Sequence, residues 1–183
     1  MQTRFDFPDA FSPAECACIV ALAEDRALDD AGLVGGGRHH NLRRADIAWL
    51  DERAGTGWVM DRIIEVVLDA NRRAFDFDLR EFSESPQVAR YGAERAGHFD
   101  WHSDIGDGPL ARRRKLTMVV QLSDPGDYAG GALELMPDAN PRSAARAQGA
   151  ATLFPSFVLH RVQPVTAGAR YSLTTWAHGP AFR

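Results

Sequence analysis

The stretch Leu116-Thr117-Met118-Val119-Val120-Gln121-Leu122-Ser123-Asp124-Pro125-Gly126-Asp127 decides the fold of this chain. An apolar run rich in β-branched residues breaks into a cluster of Ser, Asp, Pro and Gly, the pattern of a short strand ending in a turn. The same texture extends in both directions. Downstream it predicts strands at Ala132–Met136, Ala151–Phe154, Arg161–Val165 and Tyr171–Ala177, separated by turns at Ser123–Gly131, Pro137–Pro141 and Thr166–Gly168. Upstream, as far back as Pro86, it predicts Gln87–Tyr91 and Gly97–His102.

Before Pro86 the pattern turns helical. Ser12-Pro13-Ala14-Glu15 combines an N-cap hydroxyl, a proline at the first helical position and a glutamate placed to bond back, so a helix starts there and runs to about Asp25. Val59, Ile63, Val66, Val67, Ala70 and Ala74 recur three or four apart and predict a second helix from about Thr56 to Phe75, with one apolar stripe. Ile47–Leu50 is a short strand between them. Two helices followed by about seven or eight short strands predict an α+β fold: a double-stranded β-helix, or jelly roll, with helices outside. Neither repeat nor linker interrupts it. We therefore expect one domain over residues 1–183, with 1–85 as helical support and leading strands and 86–183 as the jelly-roll core.

The 183 residues carry 21 Lys and Arg against 25 Asp and Glu, for a net charge of −4. That balance gives no basic field to gather nucleic acid or anionic lipid. No apolar run approaches a membrane span, and Met1–Asp9 lacks the apolar core of a signal peptide, so a cytoplasmic location is expected. Cys16 and Cys18 lie two apart on a helix, face different ways and read as two buried, reduced thiols. The loop Gly35–Asn41, with His39 and His40, reads as mobile and solvated. Arg112-Arg113-Arg114-Lys115 reads as a solvated loop guarding a strand end.

Chemistry concentrates in Phe99-Asp100-Trp101-His102-Ser103-Asp104. Alternation along an extended chain puts His102 and Asp104 on one face, close enough to share an ion. An imidazole and a carboxylate are two of the three ligands of a 2-His-1-carboxylate facial triad. His160 lies 58 residues downstream, where a jelly roll brings distant strands across one cavity. Ten residues later, Arg170 offers a guanidinium suited to clamping a carboxylate.

From Tyr91 to Ala177 the chain resembles the iron(II)- and 2-oxoglutarate-dependent dioxygenases, and among them the prolyl 4-hydroxylase-like group, including bacterial PKHD-type hydroxylases and the oxygen-sensing prolyl hydroxylases. The resemblance is carried by Tyr91-Gly92, by Phe99 with His102 and Asp104, by Leu122-Ser123-Asp124-Pro125 and by Tyr128-Ala129-Gly130-Gly131-Ala132-Leu133. It continues through Phe154-Pro155-Ser156, Leu159-His160-Arg161-Val162, Pro164-Val165-Thr166, Gly168, Arg170 and Trp176, and reaches back to Arg43–Leu50 and Ala70–Leu79.

The resemblance implies that His102, Asp104 and His160 hold Fe(II), with 2-oxoglutarate and O2 as cosubstrates and ascorbate as an optional reductant. Arg170 would pair with the distal carboxylate of 2-oxoglutarate, helped by Ser172, with Tyr91 and Leu133 beside it. Gln121 stands where the oxygen-sensing enzymes carry a tyrosine, and Trp176 would complete the wall facing the substrate. Asp104, in place of a glycine or alanine, favours hydroxylation over halogenation. The substrate expected is a C–H bond in a prolyl residue of a protein or peptide; a free amino acid or small metabolite is the alternative. A non-catalytic, cupin-like metal or ligand sensor is a reading of another class, disfavoured because a mere binder has no need of Arg170. Neither nucleic acid nor membrane is expected as a partner, and the oligomeric state is not readable. Substrate selection would fall to loops such as Gly32–Asn41 and Gly106–Arg114.

Overall fold

The computed structural model describes residues 2–26, 29–30, 42–51 and 55–182. The chain order is β1 (Phe5–Phe7), α1 (Pro13–Glu24), β2 (Asp29–Asp30), β3 (Arg43–Arg44), β4 (Asp46–Trp49), α2 (Gly57–Ala70), β5 (Gln87–Gly92), β6 (His98–His102), β7 (Arg114–Gln121), β8 (Tyr128–Gly130), β9 (Leu133–Met136), β10 (Arg142–Ser143), β11 (Ala151–Pro155), β12 (Leu159–Val162) and β13 (Val165–His178). The Gly35–Asn41 loop, with His39 and His40, lies outside the described residues.

The two helices form for local reasons. At α1 the Ser12 side chain accepts from the Glu15 amide while the Glu15 carboxylate accepts from the Ser12 amide, so two N-terminal donors are satisfied reciprocally. α2 buries Val59, Ile63, Val66, Val67 and Ala70, and a single π-helical turn over Asn71–Phe75 closes it at Asp76, in the left-handed region with φ 55°. Both helices pack on one face of a sheet with strand order β1-β11-β7-β13-β5-β4-β2, to which β8 adds by pairing with β13. On that face Leu116, Met118, Val120, Leu153 and Leu173 meet Ile19, Ile63 and Val67. Ile63 is fully buried there, and its truncation to alanine would cost about 2–5 kcal/mol.

The other face of that sheet turns toward a second sheet, β10-β9-β12-β6-β3. Because strand side chains alternate, β7 sends Leu116, Met118 and Val120 to the helices and Thr117, Val119 and Gln121 into the space between the sheets. This is the expected jelly roll of two sheets with helices outside.

Several local expectations are corrected. Thr166–Gly168 is not a turn: β13 runs unbroken from Val165, and its first residues pair with β8, which lies inside the predicted turn Ser123–Gly131. Gly168, at φ 66°, allows this, since a Cβ there would lie 2.0 Å from the Asp127 carbonyl oxygen. The predicted strand Arg161–Val165 is instead β12, which ends at Val162. Cys16 is buried but Cys18 is exposed, because the two face opposite sides of α1 and only one side meets the sheet. Arg114 and Lys115 are buried at the start of β7 and belong to no solvated loop. Pairing of β7 with β13 shifts between Ala177 and His178, so that Ala177 faces Leu116 but His178 faces Arg114. Lys115 is the extra residue, and the bulge turns Arg114 toward the intersheet space.

Candidate metal centre

His102 ends β6, His160 is the second residue of β12, and the two are register partners in adjacent antiparallel strands. Their rings lie 4.2 Å apart between centroids. Asp104 follows β6 by two residues and is fixed by its own backbone, whose N–H donates to the Ser156 carbonyl at 2.9 Å. Its carboxylate then faces both imidazoles: Oδ1 is 3.7 Å from His102 Nε2, and Oδ2 is 3.6 Å from His160 Nε2. One ligand atom from each of the three residues lies within 4.8 Å of the others.

The proton inventory suits a cation. His102 Nδ1 is 2.7 Å from the Asp100 carbonyl and His160 Nδ1 is 3.0 Å from the Val158 carbonyl. A carbonyl only accepts, so each Nδ1 donates its proton there and each Nε2 is left facing Asp104. Burial, reinforced by the charge of His160, pushes the His102 imidazole down to about 4 against the pull of Asp104, so it is neutral near pH 7. Phe99 stacks flat on that ring at 3.5 Å. Burial alone would raise the Asp104 carboxyl, but His160, His102 and Arg114 together hold it below its ordinary value. Asp104 Oδ2 accepts from Thr117 Oγ1 at 2.7 Å and from Trp176 Nε1 at 3.0 Å, leaving Oδ1 uncommitted among the described residues. Two imidazoles and one carboxylate on a single face fit iron(II) with open positions remaining.

Around this cluster lies a cavity of about 390 Å³ whose lining includes Tyr91, Leu133, Ser172 and Trp176 together with His102, Asp104 and His160. Arg170 and Gln121 are not part of that lining and sit buried next to it. Arg170 is 1 % exposed, opposite Tyr91 in register, with its guanidinium carbon 5.5 Å from the Tyr91 ring centroid. Its Nε and Nη2 both donate to Gln121 Oε1, at 3.1 and 2.9 Å, while Nη1 has no hydrogen-bond partner. Burial pushes its pKa down, opposed by Tyr91 and Tyr128, and it forms no ion pair among the described residues. A buried guanidinium lacking a counter-ion and holding one free donor fits an anionic cosubstrate.

A second layer escaped the sequence reading. Arg114 donates to the Asp104 carbonyl at 3.1 Å, lies 4.0 Å over the Trp176 ring and forms a two-pronged ion pair with Glu84. Glu84 also accepts from His178 Nε2 at 2.9 Å, and the Ser83 amide donates to His178 Nδ1. Burial raises the Glu84 carboxyl, but His178 and Arg114 outweigh it and hold it down at about 2. Parity along β7 points Arg114 the wrong way, and only the Lys115 bulge reverses it. Of the six histidines, His178 thus anchors the frame and His98 lies outside the cluster.

The sequence profile of the 2OG-Fe(II) oxygenase superfamily matches residues 86–178. A PKHD-type hydroxylase of Synechococcus sp. (strain JA-2-3B'a(2-13)) is 28% identical over 175 residues, covering 92% of this chain and 75% of the relative. One of Bordetella pertussis (strain Tohama I / ATCC BAA-589 / NCTC 13251) is 30% identical over 177 residues, again covering 92% and 75%. Among solved structures, a Pseudomonas putida prolyl-4-hydroxylase superposes with a TM-score of 0.77 at 22% identity, covering 98% of this chain and 94% of that one. A Trichoplax adhaerens prolyl hydroxylase, in complex with a hypoxia inducible factor oxygen degradation domain peptide fragment, gives 0.77 at 20% identity over 97% and 84%. The chain belongs to the 2OG-Fe(II) oxygenase superfamily, in its PKHD and prolyl 4-hydroxylase-like group. It is a 2-oxoglutarate-dependent dioxygenase.

Proposed function

We propose that this enzyme hydroxylates an unactivated C–H bond of a prolyl residue, converting substrate, O2 and 2-oxoglutarate into hydroxylated product, succinate and CO2. The observation that carries this reading is Arg170, buried with a free Nη1 beside the His102, Asp104 and His160 cluster. The three side chains hold iron(II), which supplies the redox chemistry that activates dioxygen when bound. Arg170 pairs with the distal carboxylate of 2-oxoglutarate, and Ser172 and Tyr91 add hydroxyls on the same wall. Leu133 closes the apolar side and excludes water. Trp176 donates its N–H to Asp104, which orients that carboxylate, while its ring lines the cavity where substrate would sit.

The prolyl residue is presented by a protein or peptide; the second reading, a free amino acid or small metabolite, is favoured by the modest cavity of about 390 Å³. The test is succinate release by the iron-loaded protein with 2-oxoglutarate and ascorbate, with and without prolyl peptides and free proline. Substrate-stimulated succinate with a mass gain of one oxygen is the expected result. Metal binding without any turnover would instead favour the sensor.

A further inference from the structure

Arg43 is a second buried cation in the same cavity, on β3, and the chemistry described so far does not use it. Its residue is 8 % exposed, and Phe99, its register partner on β6, lies under its guanidinium at 4.7 Å. Nη2 donates to Gln87 Oε1 at 2.6 Å, while Nε is buried without a partner. Among the described residues it forms no ion pair. Asp107, the remaining carboxylate of the lining apart from the metal-binding Asp104, is exposed and not joined to it. Phe99 in turn stacks on His102, so Arg43 stands one ring away from a metal-binding imidazole.

Charge bookkeeping shows what is missing. Once iron(II) and a 2-oxoglutarate dianion are in place, the metal and Arg170 offset Asp104 and the cosubstrate, and Glu84 offsets Arg114. Arg43, itself buried, then remains as one positive charge uncompensated among the described residues, which is costly unless an anion meets it. Gln87 fixes one edge of the guanidinium and Phe99 supports its face, so the fork is held in place before any ligand arrives.

We propose that Arg43 binds a carboxylate of the primary substrate, so that the residue hydroxylated carries its own free α-carboxylate, as a free amino acid or as the C-terminal residue of a peptide. This rests on the hydroxylase reading above and narrows it: an internal prolyl residue offers only a neutral carbonyl there. An arginine fork gains far more from a carboxylate than from an amide.

The test compares binding of L-proline, N-acetyl-L-proline and N-acetyl-L-prolinamide by calorimetry, using manganese-loaded protein with 2-oxoglutarate present, together with KM and kcat of the iron-loaded enzyme. Either acid should bind roughly ten- to a hundredfold more tightly than the amide. Arg43→Gln should collapse that ratio to about one, mainly through Kd and KM, and Arg43→Lys, which keeps the charge without the fork, should recover part of it. Free proline against the N-acetylated acid separates a free amino acid from a peptide C-terminus. Equal binding of acid and amide, tighter binding of the amide, or a ratio that survives Arg43→Gln in folded protein would overturn the assignment. If 2-oxoglutarate itself fails to bind, the hydroxylase reading falls and takes this one with it; if it binds and the acids gain nothing, only the assignment to Arg43 is lost.

Discussion

Trp176 Nε1 lies 3.0 Å from Asp104 Oδ2, and Arg114 covers the same indole ring at 4.0 Å while holding the Asp104 backbone carbonyl. Asp104 is also gripped by Thr117 at its carboxylate and through its own amide by Ser156, four points in all. Hydrogen bonds to a ligating carboxylate set which oxygen meets the metal, and their loss commonly costs about 10–100-fold in metal affinity. Trp176→Phe and Thr117→Val should each weaken Mn(II) binding by roughly tenfold in a calorimetric titration. Unchanged affinity in both variants would show that Asp104 needs no such support.

His102→Ala and His160→Ala should abolish iron binding while the far-ultraviolet circular dichroism of the fold persists. The pH dependence follows from the depressed His102 pKa of about 4 against an ordinary 6.5. Metal requires the neutral imidazole, so proton competition at His102 sets in well below pH 6. The part of metal affinity lost through protonation of His102 itself should appear only as pH falls toward 4. In the metal-free protein the unfolded chain takes up this proton first, so stability falls as pH drops from 6.5 to about 4, by ~3 kcal/mol in all. Denaturant melts across that range check the sign.

Arg170→Met removes the guanidinium but keeps its length. The KM for 2-oxoglutarate should rise about 10–100-fold, the worth of hydrogen bonds to a charged group, with a smaller change in kcat at saturation. A variant with wild-type KM would place the distal carboxylate elsewhere.

Glu84→Gln leaves Arg114 buried without its anion. The Glu84 carboxyl sits at about 2 rather than 4.5, so its contribution to stability is present above pH 4.5 and disappears as pH falls through 2. The variant should lose about 3 kcal/mol at pH 7, and its deficit should shrink between pH 4.5 and 2. Melting curves at pH 7 and pH 3 distinguish this from a pH-independent packing loss.

What could be read from sequence was local. The Ser12 and Glu15 capping box, the stripe of α2 and the alternation of Thr117, Val119 and Gln121 each depend on neighbours within a few residues, and all appear in the structure. The pairing of His102 with His160 spans two strands, and there the resemblance to known dioxygenases supplied what periodicity does not. Other features had no local signal. Glu84 and His178 meet across 94 residues of chain, and strands as short as Phe5–Phe7 and Arg43–Arg44 carry too few residues to show a period. Arg114 was misplaced because a run of four cations reads as a solvated loop, whereas β7 begins two residues earlier and a bulge at Lys115 turns Arg114 toward Glu84 and Asp104.

The anchoring of Asp104 also bears on how such a chain is altered. Its amide is tied to Ser156, its carboxylate to Thr117 and Trp176, and Thr117 to the Ser156 hydroxyl at 3.0 Å. None of these holdfasts belongs to the exposed residues Gly106–Leu110 that follow. The rim can therefore be lengthened, shortened or grafted from a cousin without disturbing the reactive centre, which makes it the natural place for new substrate preferences to arise, in evolution or by library selection.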